Sequence, residues 1–232
     1  MQKEADIREA LGDRAFAENP NVRIVLDLGW IISTTRLDET LKNIASTHPH
    51  EHSLAESLIR NYWPAIVHLN TDDQQRWVTG SWLLGTSAPQ GAGIAVHCFA
   101  RIVEGELRTN IFAPFAGYAR SHPELLAHCR DDDKDIGLFC RYLKGRDKNI
   151  GLGQMFEVFR LARRPASPIS SSFAEWLKRD HPWLLSGLGS IETARIVSFR
   201  NRQNHPDRRI ETHEAEQMSR ICREVINLLH PR

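Results

Sequence analysis

Six residues near the carboxyl end of the chain, RNRQNH at positions 200–205, combine side-chain types that could do chemistry together. Arg200 carries a permanently charged, planar guanidinium that can bind two phosphate oxygens at once. His205 can give and take protons near neutral pH, and Asn201 can orient an imidazole or hold a substrate oxygen. These types suit RNA cleavage without a metal ion, in which a histidine moves protons and an arginine stabilises the charge that develops on phosphorus.

An apolar stripe predicts that the helix carrying this cluster is packed against other helices. Its members are Ile191, Ala194 and Val197. Because Pro206 disfavours the α conformation of the residue before it, the helix should end at His205. Asn201 lies four residues earlier and so points to the same side of the helix as His205. Three further arginines add positive charge around this end and would bind RNA: Arg202, Arg208 and Arg209.

Solvated helix ends collect the same residue types, because arginine, asparagine and histidine cap backbone carbonyls there. From the spacing alone, a catalytic cluster and an ordinary helix end both stay open. Charge is distributed unevenly, since residues 141–232 carry 17 Lys and Arg against 10 Asp and Glu. Residues 1–140 carry 13 against 19. This asymmetry suggests two roles for the two parts or an internal electrostatic pairing, and the excess is too small to establish nucleic-acid binding.

No other motif predicts a competing site. His48, His50 and His52 alternate around a proline, which is typical of a polar turn, so neither a metal ion nor another cofactor is expected. The cysteines lack C-x-x-C spacing, which predicts reduced and mostly buried thiols. They are Cys98, Cys129, Cys140 and Cys222.

The composition is that of a soluble globular protein, with 41% apolar and 25% charged residues in a chain of 232. That length suits one large domain or two small ones. The charged N-terminus lacks the apolar core of a signal peptide, and no window has the uncharged length needed to cross a bilayer. We therefore expect a cytoplasmic protein without a membrane partner.

Apolar periodicity predicts a predominantly helical chain. Ser53 and Glu56 have capping-box spacing before a helix that Pro64 should kink. That helix should bury Leu54, Leu58, Ile59, Tyr62, Ile66 and Leu69. A long helix that ends near Pro114 should bury Ala95, Phe99, Val103, Leu107 and Ile111.

Later helices follow the same rule. One should bury Leu152, Met155, Phe156 and Phe159, and the last should bury Ala215, Met218, Cys222, Val225 and Leu229. Between them, a helix should break at Pro182. The stretch SAPQGAG is typical of a linker, which divides the chain into an N-terminal helical region at 1–86 and a second domain at 87–232.

The second domain resembles the HEPN superfamily. RNRQNH fits its R-x4-6-H signature, in the form with a polar residue directly after the arginine, and an amphipathic helix follows it. IGLGQMFEVF is similar to the glycine-led start of the second helix in many HEPN proteins. VHCFARIVEGELRTNIF is similar to their long first helix, with Glu104 or Glu106 at its acidic position.

This resemblance implies an all-α, HEPN-type bundle of four main helices that forms a homodimer and joins two motifs in one composite site. It implies a metal-independent endoribonuclease that leaves a 2′,3′-cyclic phosphate and a 5′-hydroxyl. Arg200 would hold the scissile phosphate, His205 would be the acid and base, and Asn201 would support them. Antiviral defence or a toxin–antitoxin pair, with a regulatory protein partner, is the implied setting.

Two points limit what the resemblance implies. HEPN toxins paired with minimal nucleotidyltransferases often carry a tyrosine two residues after the histidine, which the partner modifies, and this chain has Asp207 there. That difference argues against this particular form of regulation. A non-catalytic HEPN binding or assembly module within a larger complex also stays open.

Overall fold

The computed structural model describes residues 46–86, 91–134, 136–165, 167–203 and 210–231, with the backbone alone at positions 202 and 203. Of the described residues, 79% are helical and none lies in a strand. The predicted all-α class is therefore confirmed for this part of the chain. The predicted boundary after residue 86 falls at 87–90, outside the described residues, and it stays a prediction.

The helices are numbered along the described chain. They are α1 (Pro49–Tyr62), a 3₁₀ helix (Pro64–His68), α2 (Thr71–Leu84), α3 (Gly91–Leu107), a π turn (Arg108–Phe112), α4 (Ala113–Arg120), α5 (Pro123–Ala127), α6 (Gly137–Leu143), α7 (Leu152–Arg163), α8 (Pro168–Asp180), α9 (Leu184–Ser190), α10 (Thr193–Gln203) and α11 (Thr212–Leu229). Apart from the gaps given above, residues 46–99 with 202–216 form one compact unit, and residues 100–201 with 217–231 form a second.

The core of the first unit is built around tryptophan. The ring of Trp77 is fully buried, and its centroid lies 4.5 Å from that of Trp63 and 4.6 Å from that of Phe99. Aromatic rings bury more apolar area than any other side chain, so three of them in contact supply much of the burial in a small unit. Asn70 caps α2, because its side-chain oxygen accepts the Asp73 N–H at 3.0 Å.

Helix α1 differs from its prediction in where it begins and which face it buries. It begins at Pro49, whose missing N–H is not needed in a first turn, and the predicted Ser53 lies inside it. Ile59 is buried as predicted, but Leu54 is 62% and Leu58 is 55% exposed. Tyr62 ends the helix and is also exposed. At Pro64 a kink was predicted, and the structure has a break instead: α1 ends at Tyr62 and a 3₁₀ helix begins at Pro64.

The long helix predicted to end near Pro114 instead continues through it. All five residues of its predicted inward face are fully buried. Proline lacks an N–H and its ring crowds the carbonyl four residues earlier, which normally ends or kinks a helix. Here the π turn removes that conflict, because the Ala113 N–H bonds to the Arg108 carbonyl five residues back and α4 follows directly.

An aromatic cluster forms the core of the second unit. The ring centroid of Phe112 lies 5.8 Å from that of Phe139, 5.4 Å from that of Phe159 and 5.6 Å from that of Phe173. All four rings are essentially inaccessible to solvent. Because these residues come from the π turn, α6, α7 and α8, the cluster joins four elements of this unit.

The other helical predictions in the described residues are largely confirmed. The predicted inward residues of α7 and of α11 are all buried. A helix does break at Pro182, because α8 ends at Asp180 and α9 begins at Leu184. The cap of α8 is Ser167, which makes a reciprocal capping box with Ser170.

Gly137, the first residue of α6, is required by a close approach of the chain. A Cβ there would collide with the Asp131 carbonyl, and the Asp131 side chain is itself held by Lys144 at 2.7 Å and by Arg146. We expect Gly137→Ala to lower the free energy of unfolding by about 1–3 kcal/mol, measured by urea unfolding. Gly117→Ala in α4 is the matched control.

A Cβ at Gly117 would meet nothing within 4 Å, so alanine there should raise the free energy of unfolding by about 0.5–1 kcal/mol. Equal changes in the free energy of unfolding for the two substitutions would show that the Asp131 carbonyl does not exclude a Cβ at position 137.

Candidate functional site

Arg200 lies near the end of α10, and the packing of that helix sets its direction. Ile196 and Phe199 are buried, at 0% and 6% exposure. The predicted apolar stripe of α10 is therefore wrong, because none of its three residues is buried and Ala194 is exposed. Phe199 has a larger apolar side chain than any residue of the predicted stripe, so burying it together with Ile196 favours this rotation. Arg200 follows Ile196 by one helical turn and lies at the border of the buried face.

Among the side chains that the structure describes, the guanidinium of Arg200 contacts the carboxylate of Glu104. Its Nη2 lies 3.5 Å from Oε2 of Glu104, with 35% of the Arg200 side chain and 19% of the Glu104 side chain exposed. A distance of 3.5 Å is longer than a good charge-assisted hydrogen bond, and a single contact is not the bidentate arrangement that would hold both guanidinium arms. Arg200 is thus oriented by Glu104 without being locked to it.

Glu104 has a second and closer arginine partner. Arg108, in the π turn, donates from Nη2 to Oε1 of Glu104 at 2.7 Å. The two oxygens of one carboxylate therefore each face a guanidinium, and we call Arg108, Glu104 and Arg200 the Arg–Glu–Arg cluster. With two positive charges and one negative charge, the cluster is a suitable place for an additional anion.

The other predicted site residues divide into one that is described and several that are not. Asn201 is exposed and lies beside Arg200 in the chain, on the last turn of α10. His205, Arg208 and Arg209 lie outside the described residues, and at Arg202 only the backbone is described. Arg200 and Asn201 are thus the predicted site residues whose side chains the structure places.

A second polar group in the same unit was not predicted. The carboxylate of Glu106 is buried, and its Oε2 lies 2.7 Å from Nε2 of His230 and accepts a hydrogen bond from Asn110 at 3.0 Å. The spacing of Glu106 and Asn110, one helical turn apart, was a visible signal. The pairing with His230 was not, because it joins residues 124 positions apart.

Arg108 has an electrostatic influence on the phenol of Tyr142. Burial raises the pKa of the Tyr142 phenol, whereas the positive charges of Arg108 and Arg120 act to lower it.

The three histidines at 48–52 lie at and inside the start of α1 rather than in the predicted turn. His52 is 3.1 Å from the Thr79 hydroxyl, and burial lowers the pKa of its imidazole against the opposing influence of Glu56. Within the described ranges, no group of histidine, cysteine, aspartate or glutamate side chains is arranged to hold a metal ion.

All four cysteines are buried and free, so the burial predicted for them is confirmed. Cys129 and Cys140 interact through a side-chain hydrogen bond, which lowers the pKa of Cys129 and raises that of Cys140. Lys144 donates to the Cys129 carbonyl at 2.8 Å and adds positive charge beside both thiols.

Among the residues that the structure describes, no helix has both the length and the apolar character needed to cross a membrane. The candidate site, as far as the structure describes it, is the Arg–Glu–Arg cluster with Asn201 next to Arg200 in the chain. Its excess positive charge suits the binding of an anion. In comparisons with protein-family models, with curated proteins and with solved structures, the chain has no match.

Proposed function

We propose that the chain is a metal-independent endoribonuclease of the HEPN type, with its active site at the interface of a homodimer. The observation that carries this proposal is the state of Arg200. The residue lies on a packed helix, its side chain is about one-third exposed, and its guanidinium keeps a loose contact with Glu104 at 3.5 Å. Such an arginine is aimed in a defined direction and still has N–H groups for a phosphate.

The identity of the two residues in the Arg200–Glu104 contact supports the HEPN assignment. The resemblance assigns Glu104 or Glu106 to the acidic position of the long first helix and Arg200 to the end of the third main helix. A contact between that carboxylate and that arginine is what a HEPN-type arrangement would produce. The confirmed inward faces of α3, α7 and α11 also fit the helix order of the family.

The proposed reaction uses the 2′-hydroxyl of RNA as its nucleophile. His205 removes the 2′-hydroxyl proton or protonates the leaving 5′-oxygen, and the 2′-oxygen bonds to phosphorus as the bond to the 5′-oxygen breaks. The products are a 2′,3′-cyclic phosphate and a 5′-hydroxyl. Arg200 stabilises the negative charge that develops on the phosphate oxygens, and Asn201 holds the reacting groups.

The partners follow from this chemistry. Arg202, Arg208 and Arg209 would contact further RNA phosphates, which extends a positive surface from the active site. The second copy of the chain would supply the other half of the composite site. We place the enzyme in the cytoplasm, in antiviral defence or in a toxin–antitoxin pair, with a regulatory protein that controls its activity.

A cleavage assay on labelled single-stranded RNA in excess EDTA tests the proposed function. We expect cleavage to survive EDTA, to leave 2′,3′-cyclic phosphate ends, and to stop when the ribose on the 5′ side of the scissile bond is replaced by 2′-deoxyribose. Cleavage that EDTA abolishes, or that persists on the deoxyribose-substituted substrate, would rule out this mechanism, because neither fits attack by a 2′-hydroxyl.

The Arg200–Glu104 ion pair also favours a second function. An arginine that contacts an internal carboxylate has a structural role available to it, so the chain could be a non-catalytic HEPN module for binding or assembly. In that case purified protein should leave RNA intact under every condition, with or without cell extract, while it still forms a dimer or a larger complex. The cleavage assay therefore separates the two functions.

A further inference from the structure

We propose that Arg108, in the π turn, is a second phosphate-binding residue and acts together with Arg200 on the RNA backbone. This inference rests on the proposed function and assigns a role to a residue outside the R-x4-6-H motif. It arises from the Arg–Glu–Arg cluster, in which Arg108 Nη2 lies 2.7 Å from one Glu104 oxygen and Arg200 Nη2 lies 3.5 Å from the other.

The arrangement around Glu104 shows how the two guanidinium groups converge. Carboxylates and phosphates are both recognised by guanidinium through pairs of oxygens that share one central atom. Two arginines that approach the two oxygens of a single carboxylate are therefore close enough to contact one phosphate group, or two successive phosphates of an RNA strand. The convergence is fixed by the helices, because Glu104 and Arg108 are one turn apart and α10 positions Arg200.

The charges of the cluster leave room for an anion. Glu104 neutralises only one of the two positive charges, and the like charges of Arg108 and Arg200 repel each other when they are held near one carboxylate. About a third of each arginine side chain reaches solvent, at 33% and 35%, whereas Glu104 is 19% exposed. Both arginine side chains therefore present a larger fraction of their surface to solvent than the carboxylate does.

Arg108 also has a hydrogen-bond donor that its surroundings leave unused. Its Nε is buried, and among the described residues it has no hydrogen-bond partner. A buried donor without a partner is costly and is uncommon in folded proteins. Arg108 donates to Glu104 through Nη2, and the neighbouring Nε–H on the same edge of the guanidinium has no partner among the described residues.

The π turn explains why Arg108 can be placed in this way. Inserting one residue into a helix changes the direction of the side chains around the insertion, and π turns occur frequently at functional sites for this reason. Pro114 lies in the first turn of the helix that follows, and the Ala113 N–H bond to the Arg108 carbonyl closes the π turn. The same irregularity that lets the helix pass through Pro114 thus determines the position of Arg108.

Glu104 has the role of a positioning residue rather than a ligand, since a carboxylate repels phosphate. Its short bond to Arg108 is a proper hydrogen bond and keeps that arginine in place. Its contact with Arg200 is longer and is the one that can yield when a phosphate binds. Glu104→Gln should therefore leave a neutral partner that orients Arg108 less firmly while the repulsion of phosphate is removed.

RNA binding by the full chain tests this inference. The probe is a fluorescently labelled single-stranded RNA with 2′-O-methyl riboses, which keeps every phosphate and cannot be cleaved. We expect Arg108→Gln to weaken binding roughly tenfold in an anisotropy titration and to reduce the salt dependence of binding by about one phosphate contact. Arg108→Lys, which keeps the charge but not the fork, should fall between Arg108→Gln and the wild type.

Arg195→Gln is the matched control. It removes the same charge from an arginine of α10 whose partner is the exposed Glu192, at 2.8 Å, and its affinity for RNA should stay within about twofold of the wild type. Thermal melts of each variant show whether the chain is folded. Inorganic phosphate at matched ionic strength should not displace the RNA, since the inferred site reads an RNA strand through more than one phosphate.

The outcomes distinguish failure of this inference from failure of the proposed function. Wild-type affinity in folded Arg108→Gln and Arg108→Lys, with weakened binding in Arg200→Gln, would overturn the role of Arg108 and leave the ribonuclease proposal intact. Displacement of RNA by inorganic phosphate at matched ionic strength would overturn the RNA assignment in favour of a free-phosphate site. Absence of both RNA binding and RNA cleavage in the wild type would overturn both proposals.

Discussion

Arg200→Ala is expected to lower the rate of RNA cleavage by about 10²–10³-fold. In the proposed reaction, negative charge grows on the phosphate oxygens, and preorganised donors aimed at such charge commonly contribute this much. His205→Ala should lower the rate by about 10²–10⁴-fold, because no side chain of suitable pKa would then move the proton. The measurement is the single-turnover rate on labelled RNA in EDTA, with each variant at the same concentration.

The structure predicts that the loss of activity in Arg200→Ala is not a loss of folding. The Arg200–Glu104 contact is a partly solvated ion pair at 3.5 Å, and Glu104 keeps its closer partner Arg108 at 2.7 Å. Removing such a pair should change the free energy of unfolding by less than about 1 kcal/mol. Arg200→Lys should stay well below wild-type activity, since an ammonium group lacks the planar fork of a guanidinium.

Arg195→Ala is again the control, because it removes an equal charge from the same helix. A wild-type cleavage rate in Arg200→Ala would refute the catalytic assignment. A marked fall in stability for that variant, together with an absence of cleavage by the wild type, would instead support the structural role that the assembly-module alternative requires.

Apolar periodicity was sufficient to predict the buried residues of a helix that has one apolar face. Every predicted inward residue of α11 is buried, and so is every one of α7. These helices carry apolar residues at a regular spacing of three and four, so a single rotation buries them all. The same reasoning worked for α3, whose apolar residues recur at every fourth position through Ile111.

Apolar periodicity was not sufficient to predict the buried residues of a helix that has apolar residues on two faces. In α1, Leu54, Leu58 and Ile59 were predicted to share one buried face, although Leu58 and Ile59 point about 100° apart, and only long-range partners decide which is buried. Contacts with α2, such as that of His52 with Thr79 at 3.1 Å, orient the helix so that Ile59 is covered. Those partners lie far along the chain, and no local pattern reports them.

In the candidate site, too, the sequence predicted some residues, and the packing of the helices decides the rest. The R-x4-6-H motif predicts Arg200 as a site residue, and the resemblance predicts Glu104 or Glu106 as its acidic partner. Two residues two positions apart on a helix point in different directions, by about 200°, so they must have different partners. Which of them meets Arg200 depends on packing, and the structure pairs Glu104 with Arg200 and Glu106 with His230. The contribution of Arg108 could not be predicted, because it depends on a π turn that no sequence period signals.

Phe112→Ala is expected to lower the free energy of unfolding by about 3–5 kcal/mol, which is the largest stability effect that we predict for this chain. Phe112 is fully buried, and its ring contacts those of Phe139, Phe159 and Phe173. Truncation would leave a cavity among elements that cannot all move inward together. Urea unfolding followed by circular dichroism measures the loss, and Leu138→Ala, at a residue that is 44% exposed, should cost less than about 1 kcal/mol.

The position of Phe112 gives this substitution a second consequence. Phe112 is the last residue of the π turn that begins at Arg108, so the aromatic cluster holds in place the turn that directs Arg108 toward Glu104. Phe112→Leu keeps most of the apolar volume and should remain folded, with a smaller loss of stability. If the cluster positions the turn, folded Phe112→Leu should also bind RNA more weakly than Leu138→Ala. Equal RNA affinity in those two variants would show that the π turn holds Arg108 without support from the aromatic core.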